Sequence, residues 1–339
     1  MERGPQADPE AAPLGALELT LTAACAAAGI LPVAALLAWS YRLGSFATWF
    51  GVVGPITLVV LIGSGLVASR DRRMSRLRTA LAAGTIGGLV GTVGYDAVRL
   101  PQVLFGIRPY LPIESYGVLM LNAHSSSAVT DLAGWSFNFI NGIGFGISYA
   151  MVGIRRRWYW AIVWAMLLES ATVFSPFASI YLLAGKWNLI GLAYFSHIFY
   201  GYPLGKMVEA GDRFSTGLYA FSPYAVPIVI ATLVVGLLLV HRDVFAPPLA
   251  ATRVDGQPAT LIQAGLFVPR WLRLPTGECA LFRNDDSTAY TLTGAGKPVR
   301  VGAGATARLC FSTPGLARVR TSNLPDAGGL VLVDPEMTR

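Results

Sequence analysis

Arg70-Asp71-Arg72-Arg73-Met74-Ser75-Arg76-Leu77-Arg78 sets five arginines between two long apolar runs, 45–68 and 79–100. A helix needs roughly 20 apolar residues to cross a bilayer. Arginines packed against the end of such a run mark its cytoplasmic side, where loops carry the excess of Lys and Arg. Two more patches have this form. Arg155, Arg156 and Arg157 follow a run at 131–153, and Lys206 and Arg213 follow one at 188–206. Further runs at 15–39, 158–183 and 219–240 bring the total to seven. The other loops hold single cations: Arg42, Arg108 and Lys186. With seven spans, the three rich loops share one side. The chain reads as a multi-pass α-helical bundle in a cell inner membrane, its N-terminus cytoplasmic and its C-terminus outside.

Composition agrees. Of 339 residues, 54% are hydrophobic and 13% charged, against about 25% charged in soluble domains. The net charge of +7 sits beside apolar runs, so the expected partner is the bilayer and not nucleic acid. Three cysteines and three histidines are too few for a disulfide scaffold or a Cys/His zinc module. Residues 1–14 are polar and proline-rich, and read as a disordered N-terminus. Acidic residues outweigh Arg3 there, so the first run is expected to be a retained span and not a cleaved signal.

Polar residues at membrane depth are the binding candidates. Asp96 and Arg99, three apart, share a helix face and form either an ion pair or an anion or proton site. Glu169 lies mid-run, where a carboxylate is costly unless paired or protonated. Pro176, seven residues on, is expected to kink that helix. His197, Gly201 and Gly205 recur at i, i+4 and i+8, which points the imidazole along a glycine face. Gly84/Gly88, Gly87/Gly91 and Gly142/Gly146 have the small-xxx-small spacing that lets helix backbones approach. Asn138 and Asn141 are placed to bond across helices. In the long loop 101–130, the apolar piece Tyr116–Asn122 is too short to span and either lies on the surface or caps the bundle. Glu114 and His124 in this loop are candidates to join Asp96 in one cluster.

After His241-Arg242 the composition changes. Residues 243–259 read as a linker, with Pro247, Pro248 and Gly256. From 260 to 339, short runs alternate between turns: Cys279–Phe282, Tyr290–Leu292, Val299–Val301, Ala307–Phe311, Ala317–Arg320 and Leu330–Val333. This spacing predicts a small antiparallel β-sandwich. Outside the cytoplasm a disulfide is permitted, and Cys279 and Cys310 are the candidate pair. Cys25 reads as a packing residue of the first span.

Two resemblances follow. Arg283-Asn284-Asp285-Asp286-Ser287-Thr288-Ala289-Tyr290-Thr291-Leu292 resembles the cupredoxin segment running from an Asn to the first copper His. Phe311-Ser312-Thr313-Pro314-Gly315 and Gly328–Val333 resemble the closing strands. A type 1 site takes two His and a Cys, usually with an axial Met. Here Tyr290 falls at the first His, Thr321 near the Cys and Pro325 near the second His, with Met337 past the last strand. The resemblance implies a cupredoxin-like sandwich without copper, kept as a docking surface; no cofactor is expected. In the bundle, Gly94-Tyr95-Asp96 and the H-x-x-Y-G pattern of His197, Tyr200 and Gly201 resemble small uncharacterised bacterial multi-pass families.

No G-x-S-x-G, P-loop or H-E-x-x-H motif is present. The leading expectation is a non-enzymatic membrane subunit or scaffold presenting the sandwich to a membrane or extracytoplasmic protein, with no catalytic residue. The alternatives are a transporter of an ion or small molecule using Glu169 and His197, and a membrane metalloenzyme with His124, Glu169 and His197 as ligands.

Overall fold

The computed structural model describes residues 15–153, 157–211, 253–254, 257–322 and 324–337. The polar N-terminus, Arg155, Arg156, Arg213, the apolar run 219–240 and Pro247, Pro248 and Gly256 lie outside the described residues.

The helical part comprises α1 (Ala16–Ala28), α2 (Leu31–Ser40), α3 (Phe46–Arg70), α4 (Ser75–Leu104), α5 (Ile113–Met120), α6 (Ala128–Gly153), α7 (Tyr159–Val173), α8 (Pro176–Ile180) and α9 (Trp187–Glu209). Three stretches are long and apolar enough to cross a membrane: Ala16–Ser40, Phe46–Arg70 and Ser75–Leu104. The helices α6 and α9, of 26 and 23 residues, pack in the same bundle.

Two expected spans are broken. The first divides at Gly29. There the backbone lies so close to Gly144 of α6 that a Cβ would collide with the Gly144 carbonyl. The run 158–183 ends as a helix at Val173. Ser175 caps a new short helix by accepting from the Phe177 amide at 3.2 Å, and Pro176 occupies its first turn. The arginine-rich segment turns tightly: the Asp71 carboxylate accepts from the Arg73 amide at 2.9 Å. The buried Glu18 of α1 accepts from the Leu77 amide at 3.2 Å, placing negative charge at the start of α4.

Glycines set the packing around α4. A Cβ on Gly84 would stand 2.6 Å from Ile147 Cα of α6, and one on Gly91 2.8 Å from the Tyr200 carbonyl of α9. The two glycine rows thus serve two neighbours. Gly201 and Gly205 of α9 face the backbone of Ala161, Ile162 and Trp158 in and beside α7. The short helix α5 packs on α6 and buries Ile113, Val118 and Leu119, so the apolar piece of the long loop caps the bundle.

The C-terminal part is a two-sheet sandwich. Its strands are β1 (Arg253–Val254), β2 (Gln257–Gln263), β3 (Leu266–Val268), β4 (Trp271–Leu274), β5 (Cys279–Asn284), β6 (Tyr290–Thr293), β7 (Val299–Val301), β8 (Thr306–Cys310), β9 (Gly315–Thr321) and β10 (Leu324–Val333). One sheet runs β1-β2-β5-β8, with β3 paired to β2; the other runs β4-β10-β9-β6-β7. The sandwich begins at Arg253, inside the stretch expected to be linker. It is also mixed where an all-antiparallel sandwich was expected: β2/β5 and β4/β10 are parallel. The chain leaves the first sheet after β3, contributes β4 to the second and returns as β5, so β5 runs the same way as β2.

The second sheet is seated on the helices. Trp271, Leu316, Leu330 and Leu332 share one apolar cluster with Leu36, Trp39, Phe46, Tyr110, Phe137 and Tyr181. The edge strand β4 does not end in solvent. Ser126 N donates to the Trp271 carbonyl at 2.9 Å and Arg273 N to the His124 carbonyl at 2.7 Å, which closes the sheet edge. Arg273 then reaches Asp334 at 2.7 Å and Asn122 Oδ1 at 2.7 Å, and Trp39 Nε1 donates to Asp334 at 3.3 Å.

Candidate functional site

Between α4, α6, α7 and α9 lies a cavity of about 130 Å³ that collects polar groups of the bundle. The residues come from helix periodicity. On α4, Thr92, Tyr95 and Arg99 fall at three- and four-residue spacing on one face and all line it. Asn138 and Asn141 enter from α6, Glu169 and Thr172 from α7, and His197 and Tyr200 from α9.

Asp96 and Arg99 form a buried ion pair at 2.5 Å. Asn138 Nδ2 donates to the other Asp96 oxygen at 2.8 Å, bonding across to α6. The Arg99 guanidinium lies 4.3 Å from the Tyr95 ring centroid, within cation–π range. The Tyr95 ring is in turn 4.6 Å from that of His197.

His197 Nε2 faces Glu169 Oε2 at 3.5 Å. Its Nδ1 is 2.9 Å from the Ala193 carbonyl, which can only accept, so Nδ1 carries hydrogen. Nε2 is then an acceptor in the neutral ring and a donor in the charged one. Opposite a carboxyl oxygen, the two groups are complementary when they hold one proton between them. Thr172 Oγ1 donates to the same Glu169 oxygen at 3.2 Å.

Arg108, in the loop after α4, reaches the cavity edge. It is 8% exposed and donates to the Leu189 carbonyl at 3.4 Å. Burial lowers its pKa from the ordinary arginine value. The Nε atoms of Arg99 and Arg108 and the Oδ1 of Asn141 are buried without a hydrogen-bond partner. Such orphaned groups cost free energy and call for a ligand or water. Asp96 balances Arg99, and Glu169 faces His197; among the described residues no ion pair joins Arg108 to a carboxylate of the cavity.

The six candidates from the sequence separate. Asp96, Arg99, Glu169 and His197 come together. Glu114 instead meets Arg270 of the sandwich at 3.5 Å, and the His124 carbonyl belongs to the seam with β4. Asp96 takes Arg99 and Asn138 as its partners, and Glu114 takes Arg270 of the sandwich, so the two carboxylates of the expected cluster are engaged separately. Among the described residues, no group of three or more His, Cys, Asp or Glu is placed to hold a metal ion. In the sequence Arg108 marks topology only; its signal is that of a lone cation in a loop otherwise poor in charge.

In the sandwich, Cys279 and Cys310 face each other across β5 and β8 and are joined as a disulfide. Tyr290 Oη donates to Asp286 at 2.8 Å. Burial would raise the Asp286 carboxyl, but the Gly265 amide, the Tyr290 hydroxyl and the Ala264 amide together hold it below its ordinary value. Burial and Asp286 push the Tyr290 phenol up. The Tyr290 hydroxyl is thus engaged by Asp286, the sequence has no histidine after His241, and Cys279 and Cys310 are spent on each other. The residues present do not fit a type 1 copper.

No protein-family model matches the chain, and no curated protein matches it in sequence. Among solved structures, an amicyanin variant in its reduced Cu(I) form is 18% identical, covering 24% of this chain and 87% of that one, with TM-score 0.23. An oxidised amicyanin variant is 19% identical over 24% and 87%, with TM-score 0.23. A purple cupredoxin from Nitrosopumilus maritimus is 24% identical over 22% and 97%, with TM-score 0.20. The C-terminal region resembles cupredoxins in structure at low identity.

Proposed function

We propose that this is an integral membrane protein whose helical bundle binds a small anionic solute, with a copper-less sandwich fixed over one end of the bundle and lying outside the cytoplasm. One observation carries the reading: Arg99 and Arg108, each with a buried Nε that has no hydrogen-bond partner, line the cavity that also holds the Glu169–His197 pair. Ionisable groups kept at membrane depth are expensive and are retained for binding or proton transfer. A group that takes or releases one proton beside excess positive charge suits an anion that moves with a proton. The test is uptake of acetate into vesicles carrying the full chain, with and without an inward proton gradient. Uptake that depends on the gradient, and is lost in Glu169→Gln and His197→Ala, supports transport; uptake equal to that of protein-free vesicles removes it.

A second reading keeps the protein as a non-enzymatic subunit that docks a partner. It is favoured by the sheet β1-β2-β5-β8, whose strands take no part in the apolar seam with the helices. Mild extraction followed by mass spectrometry tests this: a partner retained by the wild type and lost on substitution in that sheet supports docking, and a solitary monomer counts against it.

A further inference from the structure

Asn141 is the polar side chain of the bundle cavity that the anion reading leaves without a role. It stands three residues after Asn138, on the same face of α6. A Cβ on the neighbouring Gly142 would collide with the Thr92 hydroxyl of α4. Glycine there brings α6 onto α4 and sets both asparagines at the cavity wall. Four other polar side chains of the wall are engaged by the protein. Asn138 donates to Asp96, Thr92 Oγ1 to the Gly88 carbonyl at 2.8 Å, Thr172 Oγ1 to the Glu169 carbonyl at 2.8 Å and Tyr200 Oη to the Gly142 carbonyl at 2.7 Å. Asn141 Oδ1 is buried without a partner.

An amide oxygen can only accept a hydrogen bond. Chloride, nitrate and a plain carboxylate are likewise acceptors only. Each of them suits Arg99 and Arg108 but leaves Asn141 Oδ1 bare, and a buried polar group without a partner is costly. An occupant that suits all three residues carries anionic oxygens and one hydrogen-bond donor. The space sets its size. At about 30 Å³ per liquid water, a cavity of about 130 Å³ has room for at least about four waters, which admits a carboxylate with a short hydroxylated carbon chain. A neutral hydroxyl suits as the donor better than an ammonium does. The two arginines repel positive charge, and the carboxylate of the wall, Glu169, already faces His197.

We infer that the bundle cavity selects short 2-hydroxy monocarboxylates, with the carboxylate held by Arg99 and Arg108 and the hydroxyl donating to Asn141 Oδ1. The inference rests on the anion reading of the cavity and narrows it to a ligand class.

The experiment is a thermal-midpoint titration of the full chain in detergent at constant ionic strength, with sodium glycolate, sodium fluoroacetate, sodium acetate and glycine. Fluoroacetate is close to glycolate in size and charge but has no hydroxyl to donate. Dissociation constants follow from the dependence of the midpoint on ligand concentration. Wild type is expected to bind glycolate about tenfold more tightly than fluoroacetate or acetate, the worth of one hydrogen bond to a group otherwise left bare. Glycine is expected to bind more weakly than glycolate. Asn141→Leu keeps the approximate shape of the side chain and removes its oxygen, and it is expected to abolish the preference for glycolate over fluoroacetate. Equal affinity of the wild type for these two overturns the inference while the anion site stands, and that comparison needs no variant. A preference kept in Asn141→Leu, or glycine bound more tightly than glycolate, also overturns it. Binding of none of the four removes the anion reading and the inference with it.

Discussion

His197 and Glu169 meet at 3.5 Å across the α7–α9 contact, with the imidazole anchored from behind by the Ala193 carbonyl. This pair joins the glycine-mediated packing of the bundle to its chemistry. Gly201 and Gly205 draw α9 against α7, and the same helix face then delivers His197 to Glu169.

The two side chains face each other directly, so substitutions at them are expected to be coupled. Glu169→Gln and His197→Gln are each expected to destabilise the bundle. The double variant is expected to lose less than the sum, with a coupling of about 0.5–3 kcal/mol. Unfolding in bicelles, read as a double-mutant cycle, measures it; strictly additive losses would show that the two side chains act separately.

Arg273 and Asp334 pair within the sandwich at 1% and 0% side-chain exposure, and each bonds the bundle, Arg273 to Asn122 and Asp334 to Trp39. Removing one partner leaves a buried charge, so Arg273→Met is expected to cost about 3–5 kcal/mol. Arg273→Met/Asp334→Leu is expected to recover much of this, because an apolar pair carries no desolvation penalty. The readout is the rate at which protease releases the sandwich from the bundle, together with the thermal midpoint.

Glycine substitutions on neighbouring helices should differ sharply. Gly91→Val is expected to separate α4 from α9, since even a Cβ there stands 2.8 Å from the Tyr200 carbonyl. Gly63 in α3 has nothing within 4 Å of an added Cβ. Gly63→Ala is expected to be neutral or to stabilise by up to about 1 kcal/mol through helix propensity. Thermal unfolding of the two variants side by side checks the contrast.

The sandwich carries a pH-dependent turn. The Asp286 carboxylate accepts from the Ala264 amide at 2.6 Å and the Gly265 amide at 2.9 Å. Its folded value lies below the unfolded one, about 3.9 for Asp. Its contribution is therefore fully present above that unfolded value and is lost as pH falls through the folded one. Hydrogen exchange at Ala264 and Gly265 is expected to accelerate, relative to intrinsic rates, only in that acid range. Asp286→Asn is expected to remove the dependence; protection that ignores pH in the wild type would contradict the assignment.

Much of this architecture was readable from patterning. The run 79–100 lies within α4, and every expected strand from Cys279 onward overlaps one of β5 to β10, with Phe311 just past the end of β8. The strands before them were not found, for a physical reason. Trp271, Leu272, Arg273 and Leu274 are all buried, because β4 is covered by its own sandwich on one side and by the helices on the other, so no alternation marks it. The break at Gly29 is hidden inside a continuous apolar run, where hydropathy does not register a change of direction, whereas the one at Ser175 is signalled by Pro176, as a kink and not as a new helix. The cavity was partly visible: intramembrane ionisable residues identified Asp96, Arg99, Glu169 and His197. Arg108 escaped notice because it lies in a loop, and only the folding of that loop onto α9 brings it to the others.

The central claim is that the bundle cavity is an anion site. The most direct measurement is the thermal midpoint of the full chain in detergent, titrated with the sodium salts of formate, acetate, nitrate and chloride at constant ionic strength. At least one of these small anions is expected to raise the midpoint logarithmically with its concentration, stabilising the fold by about 1.4 kcal/mol at ten times its dissociation constant. The shift is expected to vanish in Arg108→Gln and to persist in Lys186→Gln/Arg320→Gln. No concentration-dependent shift specific to any of the four, or shifts unchanged in Arg108→Gln, would contradict the account.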